Sequence, residues 1–192
     1  MLPAATVELL ATEPVRPITR VQYEQMVDAG VFGEDDPIEL LHGMLVEKMS
    51  PQGAQHANAI EQLSAILYAL VGRDARVRVQ LPLAAGRLSL PEPDLCLVPT
   101  GPRRDGHPDR ALLVIEVADT SLHRDRATKS AIYATANVPE YWIVDLGHGC
   151  IEVYTEPLGD HYGTSRVART GDRIELVALT GRWVAVDDVF AA

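Results

Sequence analysis

Residues 111–119 read ALLVIEVAD, an apolar run interrupted by one acid, Glu116. Such a run is a strand bound for the middle of a sheet. An ionised carboxylate in a dry interior is expensive unless it is paired, hydrogen-bonded or bound to a metal. Whatever this chain folds into must bring Glu116 a partner. That requirement narrows both the fold and the chemistry.

The surrounding pattern mixes helices and strands. Thr19 is a good N-cap for a helix over 20–29 that stops at Gly30. IELLHGMLVEK, residues 38–48, reads as two short strands turning at His42-Gly43. QHANAIEQLSAILYALVG places His56, Ile60, Leu63 and Leu67 at helical spacing and ends at Gly72. RVRVQLPLAA, from Arg76, alternates like a half-exposed strand, and DLCLV, from Asp94, is another strand. TSLHRDRATKSAIYATAN is a helix capped by Thr120 or Ser121, followed by the strands EYWIVDL and IEVYTE joined near Gly147-His148-Gly149. Short strands and turns run on through Ile174 and Trp183.

This order predicts an α/β or α+β fold, a central mixed sheet flanked by helices, in one domain over 18–192. Residues 1–17, with Pro3, Pro14 and Pro17, read as an irregular arm. No apolar run approaches the roughly 20 residues needed to span a bilayer, and no basic n-region marks a secretory signal. Cys96 and Cys150 fit two small buried hydrophobes in a reducing cytosol, which predicts a cytoplasmic protein. No Gly-rich phosphate loop follows a strand and no Gly-x-Ser-x-Gly elbow occurs, against nucleotide-dependent and serine-hydrolase chemistry.

Two strands carry an acid in a similar setting, Asp94 opening DLCLV and Glu116 within LLVIEVA. If the strands are neighbours, the two carboxylates converge, and they repel unless one is protonated or a cation lies between them. Mg²⁺ suits such a site because it takes oxygen ligands and keeps water and substrate phosphates in its shell. Taken singly, Glu116 is an acid paired with Arg or Lys, and Asp94 caps a turn after Pro93. Lys129 shares a helix side with Asp125, Leu122 and Ile132 or Tyr133. It is either half of a surface ion pair or a lysine reaching toward the strand of Glu116.

The chain resembles the Uma-type family, proteins classed as restriction endonucleases with the PD-(D/E)XK nuclease fold. The resemblance runs from Thr19 to about Tyr162 and rests on IELLHGMLVEKMSP, QHANAI, PEPDLCLVP, LLVIEVADTS and RDRATKSAIYATANVPEYWIVDL, in that order. It implies metal-dependent phosphodiester hydrolysis in a restriction-endonuclease-like domain, with Asp94 and Glu116 as the motif acids and the Val117 carbonyl as a further metal ligand. The superfamily's lysine two residues after the acid is replaced by Ala118, and Lys129 is the match for the role. Glu39 and His56 match further positions. Glu39 is a supporting or second-metal carboxylate or a solvated hairpin residue; His56 is a site residue or a core histidine.

On this reading Asp94 and Glu116 hold Mg²⁺ or Mn²⁺, and Lys129 orients the attacking water or offsets transition-state charge. DNA is the expected partner, through Arg73, Arg76 and Arg78, Arg103 and Arg104, and Arg124 and Arg126. A homodimer would suit an enzyme that cuts both strands. The net charge of −10 argues against general attraction to nucleic acid. Two alternatives follow from it: an inactive nuclease-fold binding module, and a metal-dependent hydrolase of a small phosphoester.

Overall fold

A computed structural model of the chain describes residues 12–33, 36–48, 53–101 and 106–191. Of the N-terminal arm, residues 1–11 lie outside the described residues, and residues 14–17 run without regular structure. The elements in chain order begin with α1 (Arg20–Asp28), β1 (Ile38–Leu41), β2 (Met44–Glu47), α2 (Ala54–Val71), β3 (Ala75–Val79), β4 (Leu95–Pro99) and β5 (Leu113–Ala118). A broken helix follows: α3 (Leu122–Arg124), a π-helical turn (Asp125–Lys129) and α4 (Ser130–Thr135). Then come β6 (Glu140–Asp145), β7 (Cys150–Leu158), β8 (His161–Ala168), β9 (Arg173–Glu175), β10 (Trp183–Ala185) and α5 (Val186–Val189).

The fold is α+β, built on a six-stranded mixed sheet in the order β3-β4-β5-β6-β7-β8. Every neighbouring pair is antiparallel except β5 and β6. That parallel pair needs a long crossover, and the broken helix over 122–135 supplies it. Here lies the origin of the site: the crossover carries Lys129 and Tyr133 across the face of β5 that displays Glu116.

Both sheet faces are covered. Leu113, Ile115 and Val117 of β5 pack with Leu63 and Leu67 of α2 and with Ile174 and Val184 of the β9–β10 pair. Val114 and Ala118, on the opposite face, pack with Leu41 of β1 and with Ile132 and Tyr133 of α4. β5 is therefore buried along its whole length, and Glu116 shares the face of Val114 and Ala118 because side chains alternate.

Local signals explain most element ends. Thr19 and Gln22 form a reciprocal capping box at α1. His42 (φ 50°) and Gly43 (φ 79°) both take positive φ, as a two-residue hairpin turn requires. Gly72 ends α2 with φ 52°. Three expectations are corrected. The strand over RVRVQLPLAA stops at Val79, because Gln80 turns to φ 48°, outside the extended region. Ser121 occupies the N-cap of the crossover helix but makes no capping bond; its hydroxyl donates to Asp125 instead. The crossover is not one regular helix but is interrupted by a π turn.

Candidate active site

Asp94 directly precedes β4, whose register pairs Leu95 with Ile115 of β5. One step further along that antiparallel ladder brings Asp94 opposite Glu116. The Asp94 side chain substitutes for a strand partner, with Oδ2 accepting the Val117 N–H at 2.8 Å. Glu116 Oε1 accepts two bonds from the crossover, one from Lys129 Nζ at 2.9 Å and one from the Tyr133 hydroxyl at 2.6 Å. Lys129 Nζ also lies 3.3 Å from Glu39 Oε1 on β1. The same Glu39 oxygen accepts the Glu92 N–H at 2.7 Å, which ties the hairpin to the loop that leads into Asp94.

Asp125 and Lys129, the first and last residues of the π turn, are both buried. A wider turn accommodates one extra residue, and such insertions recur at functional sites. Lys129 is 6% exposed and Asp125 2%, in the company of Glu39 at 2% and Glu116 at 3%. Ser121 Oγ donates to Asp125 Oδ2 at 2.5 Å. His56, early on α2, sets Nε2 3.4 Å from Asp94 Oδ2, while its Nδ1 is buried without a hydrogen-bond partner.

Charge is unbalanced here. Burial opposes ionisation of Lys129, but Glu116, Glu39 and Asp125 outweigh it and hold the ammonium charged, its pKa above the ordinary value. For Glu116 the balance falls the other way. Burial pushes its carboxyl well above the usual range, Lys129 offsets this only in part, and Asp94, Asp125 and Glu39 add to it. Burial likewise raises Asp125, against Lys129 and the Ser121 bond. A hydrogen bond to Asp94 raises His56 against its burial. Three carboxyl groups thus act on one lysine, with Asp94 acting on Glu116, an excess of acid that a divalent cation would offset.

Among the described residues no group of three or more His, Cys, Asp or Glu side chains is arranged to hold a metal ion. The candidate ligand set is smaller: two carboxylates and the Val117 carbonyl. All three are hard oxygen donors, the kind Mg²⁺ and Mn²⁺ prefer, and Mg²⁺ commonly takes few protein ligands. Asp94 Oδ1 and Glu116 Oε2 carry no hydrogen-bond donor among the described residues, since the bonds fall on Oδ2 and Oε1. The residues present therefore fit such an ion.

A cleft of about 620 Å³ gathers these groups, lined by Asp94, Glu116, Val117, Lys129, Glu39 and His56 among others. The arginines expected to contact DNA are not gathered there. Arg124 lines the cleft. Arg126 is committed to Glu152, to which its Nε donates at 3.0 Å, and lies 3.7 Å from Asp145. Arg78 donates to the Pro82 carbonyl and has a buried, unpartnered Nε. Arg76 lies near the far end of β3, roughly 13 Å along the strand from Gln80, and Arg73 lies in the turn before it. Arg103 and Arg104 lie outside the described residues.

Two cleft residues escape a sequence reading, Lys48 and Gln80, while Ser121 and Asp125 were read as a helix cap and a helix-side neighbour of Lys129. Glu92, which suits a loop between prolines, is there too and pairs with Lys48. Lys48 meets Glu92 from 44 residues away, and no local periodicity encodes such a pairing.

The family model "Uma2: Putative restriction endonuclease" matches residues 20–187. No curated protein matches the chain. Among solved structures, the chain is similar to the crystal structure of "a putative nuclease belonging to DUF820" from Anabaena variabilis. The two are 18% identical over 91% of this chain and 98% of that one, with a TM-score of 0.69. At that identity the likeness establishes a shared fold. No helix among the described residues is long and apolar enough to cross a membrane.

Proposed function

The chain belongs to the Uma2 family, "Putative restriction endonuclease", and on that premise we propose that it is a divalent-metal-dependent endonuclease hydrolysing phosphodiester bonds in DNA. Asp94, Glu116 and the Val117 carbonyl are the metal ligands of this reading. The observation that carries it is the pairing of Asp94 and Glu116 across β4 and β5, each with one oxygen free of donors, in one cleft. Mg²⁺ or Mn²⁺ held there would polarise a non-bridging phosphate oxygen and lower the pKa of the attacking water.

The chain's own residues do the rest. Lys129 and Tyr133 grip Glu116 Oε1, so Oε2 is the available ligand atom. Lys129, bonded to both Glu116 and Glu39, offsets the charge of the acids and takes over the electrostatic role of the lysine absent at Ala118. Glu39 supports Lys129 and, through the Glu92 N–H, the loop before Asp94. His56 faces Asp94 Oδ2 and orients that carboxylate.

The test is cleavage of plasmid and single-stranded DNA with Mg²⁺ or Mn²⁺ by wild type, Glu116→Gln and Lys129→Ala. Wild type should cut, and each variant should lose about a hundredfold or more. Variants that cut as well as wild type would refute the site. The acidity of the cleft lining supports a second reading, a hydrolase of small phosphodiesters. Metal-dependent turnover of bis(4-nitrophenyl) phosphate with DNA left intact would assign that one.

A further inference from the structure

Lys129 is already committed. Its ammonium bonds two carboxylates, and it is 6% exposed. Its charge is already offset by these buried carboxylates, and its burial leaves a phosphate little access to it. Some other group must meet the negative charge of a nucleic-acid backbone.

Two further strong bases, Lys48 and Arg124, line the cleft among its described residues. Lys48 directly follows β2, and Arg124 ends α3. Arg124 Nη1 donates to the carbonyl of Glu47, the residue before Lys48, at 3.4 Å. The two cations therefore share one lip, where the hairpin meets the crossover helix. The Lys48 side chain is 32% exposed, and its partner Glu92 is 26% exposed. A water-accessible ion pair of this kind is weak, so a phosphate can take the place of Glu92 at little cost. The other charged lining residues, apart from Lys129 and His56, are acids that repel a phosphate.

We propose that Lys48, with Arg124 beside it, anchors a backbone phosphate of the nucleic-acid substrate at the mouth of the cleft. This rests on the phosphodiesterase reading of the same site and adds the residues that touch substrate. Binding of a fluorescent duplex oligonucleotide, read by anisotropy at low salt with Ca²⁺ in place of Mg²⁺ or Mn²⁺, tests it without catalysis.

Lys48→Ala should weaken binding about tenfold and reduce the slope of log affinity against log salt by about 1. Arg124→Ala should do the same, and Lys48→Arg should restore most of the affinity. Lys48→Ala binding with wild-type affinity and slope would overturn the inference while leaving the nuclease reading intact. Wild type that neither binds the duplex at low salt nor cleaves DNA with metal would overturn both.

Discussion

At Glu116 one carboxylate oxygen is shared between Lys129 and Tyr133 while the other has no donor among the described residues. The shared oxygen fixes the carboxylate; the free one is what remains for a cation. Removing the ammonium leaves buried acids without compensation, so Lys129→Met should cost about 3 kcal/mol in chemical denaturation at neutral pH. The pH dependence follows from two raised pKa values. Lys129, raised by its carboxylates, contributes fully below its unfolded pKa of about 10.5 and loses that contribution only as pH rises toward the folded value. Glu116, raised by burial, gains its proton early on acidification, so the penalty of Lys129→Met should shrink as pH falls through that raised range. Tyr133→Phe removes one bond to the carboxylate and should cost about 2 kcal/mol, read by the same denaturation. The two acids and the lysine were legible in the sequence because each breaks or shares an apolar pattern. Tyr133 was visible only as a buried-face residue, since its hydroxyl partner lies 17 positions away.

The crossover helix is the element on which the site depends, and its π turn needs an anchor. Arg126 supplies one by donating to Glu152 of β7 and approaching Asp145 of β6. Although Glu152 is partly buried, its bonds from Arg126 and Tyr154 hold its pKa below the ordinary value. A carboxylate with a lowered folded pKa stabilises above its unfolded pKa and loses that contribution as pH falls through the folded one. Arg126→Ala should therefore cost about 1 kcal/mol at pH ~7, discounted for the exposure of the arginine, and close to nothing near pH ~3; thermal melts at the two pH values check this. On the β1–β2 hairpin, Gly43 takes φ 79°, and a Cβ there would lie 2.4 Å from the Pro17 Cβ. Gly43→Ala should cost about 2 kcal/mol and displace Glu39, lowering cleavage more than an equally destabilising surface change. Elements with strong local signals could be read in advance: the Thr19 capping box, the His42-Gly43 turn and the long α2 pattern. The π turn could not, because a spacing of four from Asp125 to Lys129 suits an α-helix as well as a π turn. The end of β3 at Gln80 could not either, because nothing in the local sequence marks a positive φ at a glutamine.

Across the whole molecule, the sheet order explains how residues far apart in sequence meet. β4 and β5 bring Asp94 to Glu116, the β5–β6 crossover brings Lys129, and the hairpin brings Glu39 from outside the main sheet. Fold class was readable from the alternation of elements, and the Uma-type resemblance added the nuclease architecture. The sequence did not reveal a basic DNA track, since only Arg124 of the expected arginines lines the cleft among the described residues. With a net charge of −10, local acids oppose the approach of a polyanion, and on the proposed metal-dependent reading a bound cation would offset them as well as serve the chemistry. Titration calorimetry of Mn²⁺ into the metal-free protein tests that claim directly. One ion should bind per wild-type chain, and Asp94→Asn and Glu116→Gln should each weaken it by about a hundredfold or more, beyond what loss of a supporting residue does. Wild-type affinity in either variant would contradict the account.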